Sequence, residues 1–253
     1  MCLITISYQQ NPQYPFILVA NRDEFYQRPS APMHFWQEQP ELLAGQDLDH
    51  QGTWLGITQA GRFAALTNYR SGPKTDQSFA FSRGVLVTNT LLNGLHLSTE
   101  QLYAPFNLIY ADRRGLFYTN NQGLSEPQPL AAGLYGLCNA ALDTPWPKVV
   151  DAKQQLAQVA DQQNISMCQL KNLMTATEIA AEHDLPDTGI SKTWESALSS
   201  QFIKIHDEYG TRAKTIILQE RSGRTQICEM RYDQTGFIGE SNFQINVPVM
   251  GSD

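Results

Sequence analysis

Charge is scarce in this chain. Only 17% of its 253 residues are charged, with 18 Lys plus Arg against 25 Asp plus Glu, a formal net charge of −7. A dedicated nucleic-acid binder is excluded, because phosphate contacts need grouped Lys and Arg. A disordered tail is excluded as well, since 42% of the residues are hydrophobic. Long apolar runs are missing: no stretch approaches the roughly 18 residues of a membrane span. The first twenty residues lack the basic start and long apolar stretch of a signal peptide. Cysteine is sparse too. Cys2, Cys138, Cys168 and Cys228 lie far apart without a CxxC pair, so neither a zinc site nor a disulfide framework is indicated. The five histidines, His34, His50, His96, His183 and His206, show no HxH or HxxxH spacing, and no metal site follows. Asp184–Thr188 lacks the acidic count of a calcium loop. Repeats, low-complexity segments and Gly/Ser-rich linkers are absent. These absences predict one cytoplasmic domain over 1–253, with free thiols.

What is present reads as strands, then helices, then strands again. Cys2–Tyr8 and Phe16–Ala20 are β-rich runs around a Pro-containing turn, a hairpin pattern. Asn21–Arg28, ahead of Pro29 and Pro32, reads as a loop. Thr53–Thr58 and Arg62–Tyr69 read as strands. Gly52 and Gly56 flank Trp54 there, which implies close backbone approach. Ser82–Leu95 has helical spacing and ends near Gly94. Ser98 and Gln101 fit a capping box, as do Ser166 and Gln169. Phe106–Ala111 and Gly115–Thr119 form a second hairpin pattern, and Leu134–Ala140 another strand. Pro147 opens a helical run with apolar residues at i, i+3, i+4 and i+7. Phe202–Ile205, Ala213–Glu220 and Arg224–Tyr232 close the chain with strands. Hairpin-joined strands with segregated helices predict an α+β layered domain of antiparallel sheets.

Several residues carry candidate chemistry. Cys2 follows Met1, and removal of Met would free an α-amine able to act as base toward the adjacent thiol. While Met1 is retained that nitrogen is an amide. The alternative is a small buried side chain at the start of a strand. In Asn21-Arg22-Asp23-Glu24, Asp23 can hold an amine or thiol in place and Arg22 can grip a carboxylate in bidentate fashion. The same four residues also fit an exposed turn of paired charges. Asn68 and Asn139 end strands, where they can donate into an oxyanion hole or simply make turns. Arg212, in Tyr209-Gly210-Thr211-Arg212, is an anion clamp or a surface charge.

Taken together, these segments carry a resemblance. Met1-Cys2-Leu3-Ile4, Ala20 through Pro29 with the NRDE tetrad, Gly52-Thr53-Trp54-Leu55-Gly56, Ala65 through Arg70, Ser82-Arg83-Gly84, Asn107-Leu108, Tyr135 through Asn139, Asp143 through Lys148 and Tyr209 through Arg212 occur in order. The chain resembles the NRDE family, homologues of the transport and Golgi organisation protein 2, over nearly its whole length. The resemblance implies a four-layer αββα sandwich like that of N-terminal-nucleophile hydrolases. More distantly the chain is similar to bile-salt hydrolases and penicillin V acylases. That likeness implies catalytic places for Cys2, Asp23, Asn68, Asn139 and Arg212.

For physiology the family resemblance implies haem binding and trafficking in the cytoplasm. Haem, or another amphipathic anionic small molecule, is the expected ligand, and haem-receiving proteins are expected partners. A haem carrier needs an apolar cleft, an iron ligand and cations for the propionates. Asn21, Arg22, Glu24, Arg28, Trp54, Tyr69 and Arg70 are the binding candidates, with Trp36 and Phe25 as further wall residues. Each aromatic fits a core position as well. The alternatives are a Cys2-dependent amide hydrolase or acyl transferase, and a binder of acyl thioesters.

Overall fold

The computed structural model describes residues 2–70, 72, 78–96, 103–124 and 126–251. The chain is α+β, built on two antiparallel sheets of seven strands each. The first sheet begins with the N-terminal hairpin, β1 (Cys2–Tyr8) and β2 (Phe16–Phe25). The second sheet follows in chain order: β3 (Ser30–Phe35), β4 (Leu42–Asp47), β5 (Leu55–Thr58), β6 (Phe63–Asn68), β7 (Phe106–Asp112), β8 (Gly115–Asn120) and β9 (Gln128–Leu130). The chain then returns to the first sheet with β10 (Gly133–Leu137), β11 (Lys204–Ile205), β12 (Tyr209–Gln219), β13 (Arg224–Asp233) and β14 (Gly236–Asn246). Its order is β10-β1-β2-β12-β13-β14, with β11 beside β12.

Alternation along the strands decides the layers. In β1 and β2, Ile4, Ile6, Phe16, Leu18 and Ala20 face inward and meet Leu43, Leu55, Ile57, Phe63 and Ala65 of the second sheet. The opposite faces are also covered. Leu3, Ile17 and Val19 pack under α2 (Pro147–Ala160) through Val149, Ala152 and Leu156. Leu42, Ala44, Ala64 and Leu66 pack under α1 (Arg83–Asn93) through Leu86, Val87 and Leu91. The result is the four-layer αββα order.

The helices start and stop where local chemistry dictates. The Ser82 hydroxyl accepts from the Gly84 amide at the head of α1, which ends at Gly94 with φ 81°. Pro147 opens α2. Ser166 and Gln169 close a reciprocal capping box on α3 (Met167–Lys171). The second capping-box match, at Ser98 and Gln101, lies outside the described residues. A short α4 (Lys192–Ala197), capped by Ser191, was not visible in the sequence pattern. Among the described residues no helix is long and apolar enough to cross a membrane.

Several boundaries differ from expectation. The segment Asn21–Arg28, read as a loop, is strand as far as Phe25. It extends because both edges are paired: Cys2 lies opposite Arg22, and Thr211 opposite Asp23. The strand read as Leu134–Ala140 stops at Leu137, where the chain turns at Cys138-Asn139. That read as Phe202–Ile205 is only the two-residue β11.

Candidate functional site

The expected residues converge where β1 and β2 meet the start of α1. Cys2, Arg22, Asp23, Glu24, Arg28, Trp54 and Asn68 line one cleft of about 300 Å³. Sequence reasoning gave no role to Asp47, His50, Phe81 and Arg83, which line it too. Only the Ser82-Arg83-Gly84 motif hinted at Arg83. Nothing in the sequence around Asp47 marked it.

The cleft wall is a layered set of charges. The Arg22 side chain is 7% exposed and lies over Trp54, its guanidinium carbon 4.2 Å from the ring centre. Its Nη2 stands 3.7 Å from Asp47 and 3.9 Å from Glu24. Its Nη1 is buried and makes no hydrogen bond among the described residues. Arg28 donates from Nε to Asp47 at 2.6 Å. Asp47 also accepts from the Asp49 and His50 amides. Burial alone would raise the Asp47 carboxyl, but the Arg28 bond and the His50 amide outweigh it and hold it below the ordinary range.

Arg83 adds a third cation. It donates to the Pro105 carbonyl at 3.0 Å and forms no ion pair among the described residues, although the Glu24 carboxylate lies near enough to favour its charged form. Burial lowers its guanidinium from the ordinary value, yet arginine stays charged at neutral pH. Its backbone is fixed by tight contact. The Thr53 amide donates to the Gly84 carbonyl at 3.2 Å, and a Cβ on Gly52 would lie 2.4 Å from the Gly84 carbonyl carbon. The glycine before Thr53-Trp54 is therefore what lets α1 present its first turn to the cleft.

Cys2 is half-buried and Asp23 fully buried, both on the cleft wall. Burial pushes the Cys2 thiol up to about 11, against the opposing effect of the nearby Arg22. The thiol is therefore neutral at physiological pH, the reverse of an activated nucleophile. Burial raises Asp23 as well, although Lys148 and the Thr211 hydroxyl, which donates to Oδ1 at 2.7 Å, pull it down. Tyr209 donates to the Asp23 carbonyl at 2.8 Å.

The remaining candidates stand elsewhere. Asn139 is fully buried behind the cleft, donating to the Asn68 carbonyl at 2.8 Å and accepting from the Cys138 thiol. Arg212 lies at a β-bulge between Thr211 and Ala213. From there its Nη1 reaches the carbonyls of Phe25, Tyr26 and Arg28 at 2.8–3.1 Å. It clamps the turn that carries Arg28 rather than lining the cleft. Asn21 points to the other face of the sheet, donating to the Met174 and Gln201 carbonyls. Tyr69 is half-buried outside the cleft, its amide donating to the Pro105 carbonyl. Arg70 turns away to pair with the buried Glu195 at 3.0 Å, over Trp146. Trp36 is core, donating to Ala44, and Phe25 packs edge-on against Tyr209. Among the described residues no three His, Cys, Asp or Glu are grouped to hold a metal.

Two solved structures resemble the chain at low similarity. A Caenorhabditis elegans N-acylethanolamine-hydrolyzing acid amidase ortholog is 12% identical with a TM-score of 0.49, over 69% of this chain and 86% of that one. The C2A mutant of a conjugated bile acid hydrolase from Clostridium perfringens is 9% identical with a TM-score of 0.43, over 98% and 99%. In sequence the chain is 36% identical to the human Transport and Golgi organization protein 2 homolog, over 90% of this chain and 92% of that protein. The bovine homolog is 35% identical with the same coverage, and the Drosophila melanogaster protein 24%. Residues 1–234 match the family model described as Transport and Golgi organisation 2, and the chain belongs to that family.

Proposed function

We propose that this protein is a cytoplasmic carrier of an amphipathic anion, with haem as its cargo, and that the anion binds in the Arg22 cleft. One observation carries the reading. Arg22 is a buried cation, stacked on an indole, whose Nη1 is left without a hydrogen-bond partner among the described residues. Leaving such a donor unmatched costs about 1–3 kcal/mol or more, and because Nη1 is buried, an anion that enters the cleft removes that cost by drawing the guanidinium toward it. Arg83, which forms no ion pair among the described residues, adds attraction of the same sign. Trp54, Leu66, Phe79 and Phe81 supply the apolar wall. Cys2 and His50 are the cleft side chains whose chemistry suits iron. Metal binding takes the thiolate, so a thiol this hard to ionise would bind iron with strong pH dependence. A carrier hands its cargo on, and haem-receiving proteins are the proposed partners. The word "transport" in the relatives' names agrees with such a role.

Titrating the full chain with haem tests the proposal. A saturable one-to-one Soret shift is expected. No shift, or only non-saturating weak association, would overturn the haem assignment, while competition by an acyl thioester would move the cargo to that class.

A second reading has its own observation: Cys2, Asp23 and Asn68 share the cleft, as an amide hydrolase or acyl transferase would need. The Cys2 nitrogen opposes it for as long as Met1 remains, because an amide nitrogen cannot take the thiol proton. Reaction with a cysteine-directed acyl probe, lost in Cys2→Ala, would establish it. Failure of the probe to label after removal of Met1 would dismiss it.

A further inference from the structure

A second groove, of about 320 Å³, runs along α1 and is lined by Phe81, Val85, Leu86, Asn89, His96 and Tyr103. Its inner wall is apolar, because Leu86 and Tyr103 belong to the core packed between α1 and the second sheet. Asn89 and His96 form its outer, exposed rim. The groove is not separate from the cleft: Phe81 lines both. The Phe81 side chain is 47% exposed, which is unusual for a ring at the junction of two cavities. Its position is set by a bridge to Tyr103 and by a ring contact with centroids 5.9 Å apart. On its cleft side stands Arg83, two residues along the chain; on its groove side stand Val85 and Leu86.

We infer that this groove receives the apolar body of the ligand whose anionic group binds at Arg22 and Arg83, with Phe81 as the sill between the two chambers. The inference rests on the anion-cleft reading above and extends it. An exposed aromatic between a chamber lined by charged side chains, Arg22 and Arg83 among them, and an apolar one suits a molecule that is charged at one end and greasy at the other. The amphipathic cargo then lies along α1, and the groove sets how much apolar surface it can bury.

A series of straight-chain carboxylates from butanoate to hexadecanoate, competed against an environment-sensitive fluorescent fatty acid on the full chain, provides the test. Burial of each methylene is worth roughly a threefold to fourfold gain in affinity. Affinity should climb with length by about that factor and level off once the groove is full. Asn89→Trp, at an exposed helix position, fills the groove without touching the core. It should weaken the long chains about tenfold or more and leave butanoate unchanged. Phe81→Ala should flatten the length dependence. Length-independent binding would overturn the groove assignment while leaving the cleft reading intact. A length dependence that both variants leave unaltered would also overturn it, because the chain would then lie elsewhere. Absence of binding by any carboxylate would instead overturn the cleft reading itself.

Discussion

Lys214 is the most exposed to test of the buried charges, and it is the least visible in sequence. It is fully buried on the outer face of β12, and its ammonium donates to the Lys171 and Leu173 carbonyls at 3.0 and 2.5 Å. Burial lowers it from an ordinary 10.5 to about 8. A drop of that size corresponds to roughly 3 kcal/mol at about 1.4 kcal/mol per tenfold change in proton affinity. The sign follows from proton counts. Below pH 8 folded and unfolded chains both hold the proton, and the full cost of the buried charge is present. Between about 8 and 10.5 the unfolded chain keeps a proton that the folded chain has lost, so folded stability rises with pH. Lys214→Met removes the titration and leaves two carbonyls without their donor, a loss that does not vary with pH. Thermal unfolding of both proteins between pH 7 and 10.5 isolates the difference. Wild type should gain about 3 kcal/mol on the variant across that window, roughly 6–10 °C for a chain of this size. A difference that stays flat with pH would refute the reasoning that burial, and nothing else, sets the state of this lysine.

Three further outcomes follow from the same geometry. Alkylation of Cys2 should stay slow through pH 9 and accelerate only as pH approaches about 11, the raised value of its thiol; half-maximal labelling near pH 8.5 would contradict it. Gly52→Ala should cost about 2–4 kcal/mol in urea unfolding, because the new Cβ meets Gly84 backbone at 2.4 Å and neither segment is a flexible side-chain end. Arg212→Ala should weaken anion binding severalfold by freeing the turn that carries Arg28, and Arg212→Lys should restore only part of it, since one ammonium cannot reproduce the clamp on three carbonyls; identical affinity in all three proteins would show that the turn holds without it.

Much of the frame was legible because local physics wrote it. The N-terminal hairpin, α1 between Ser82 and Gly94, the Pro147 start and the Ser166–Gln169 box each follow from short-range rules. The site was legible in part. Cys2, Arg22, Asp23, Asn68 and Trp54 do meet in one cleft. What could not be read is long-range. Arg22-Asp23-Glu24 looks like a polar turn, and becomes strand only because β1 and β12 flank it. β14 alternates exposed and half-buried residues with few apolar anchors, so its pairing with β13 is what makes it a strand. Arg212 reads as an anion clamp or a surface charge, and the bulge in β12 directs it to backbone carbonyls instead. Asn21, beside the motif's arginine, faces the opposite layer because neighbours on a strand alternate.

The most direct test of the cleft is binding of the anion itself to charge-neutral variants. Haem affinity should fall about tenfold to a hundredfold in Arg22→Gln and severalfold in Arg83→Gln, and weaken with added salt in wild type. Arg114→Gln serves as the control, since Arg114 is exposed and paired with Asp112 away from the cleft; its affinity should match wild type. Equal affinity in Arg22→Gln and wild type would contradict the account, because the unpartnered guanidinium on Trp54 would then have no role in holding the ligand.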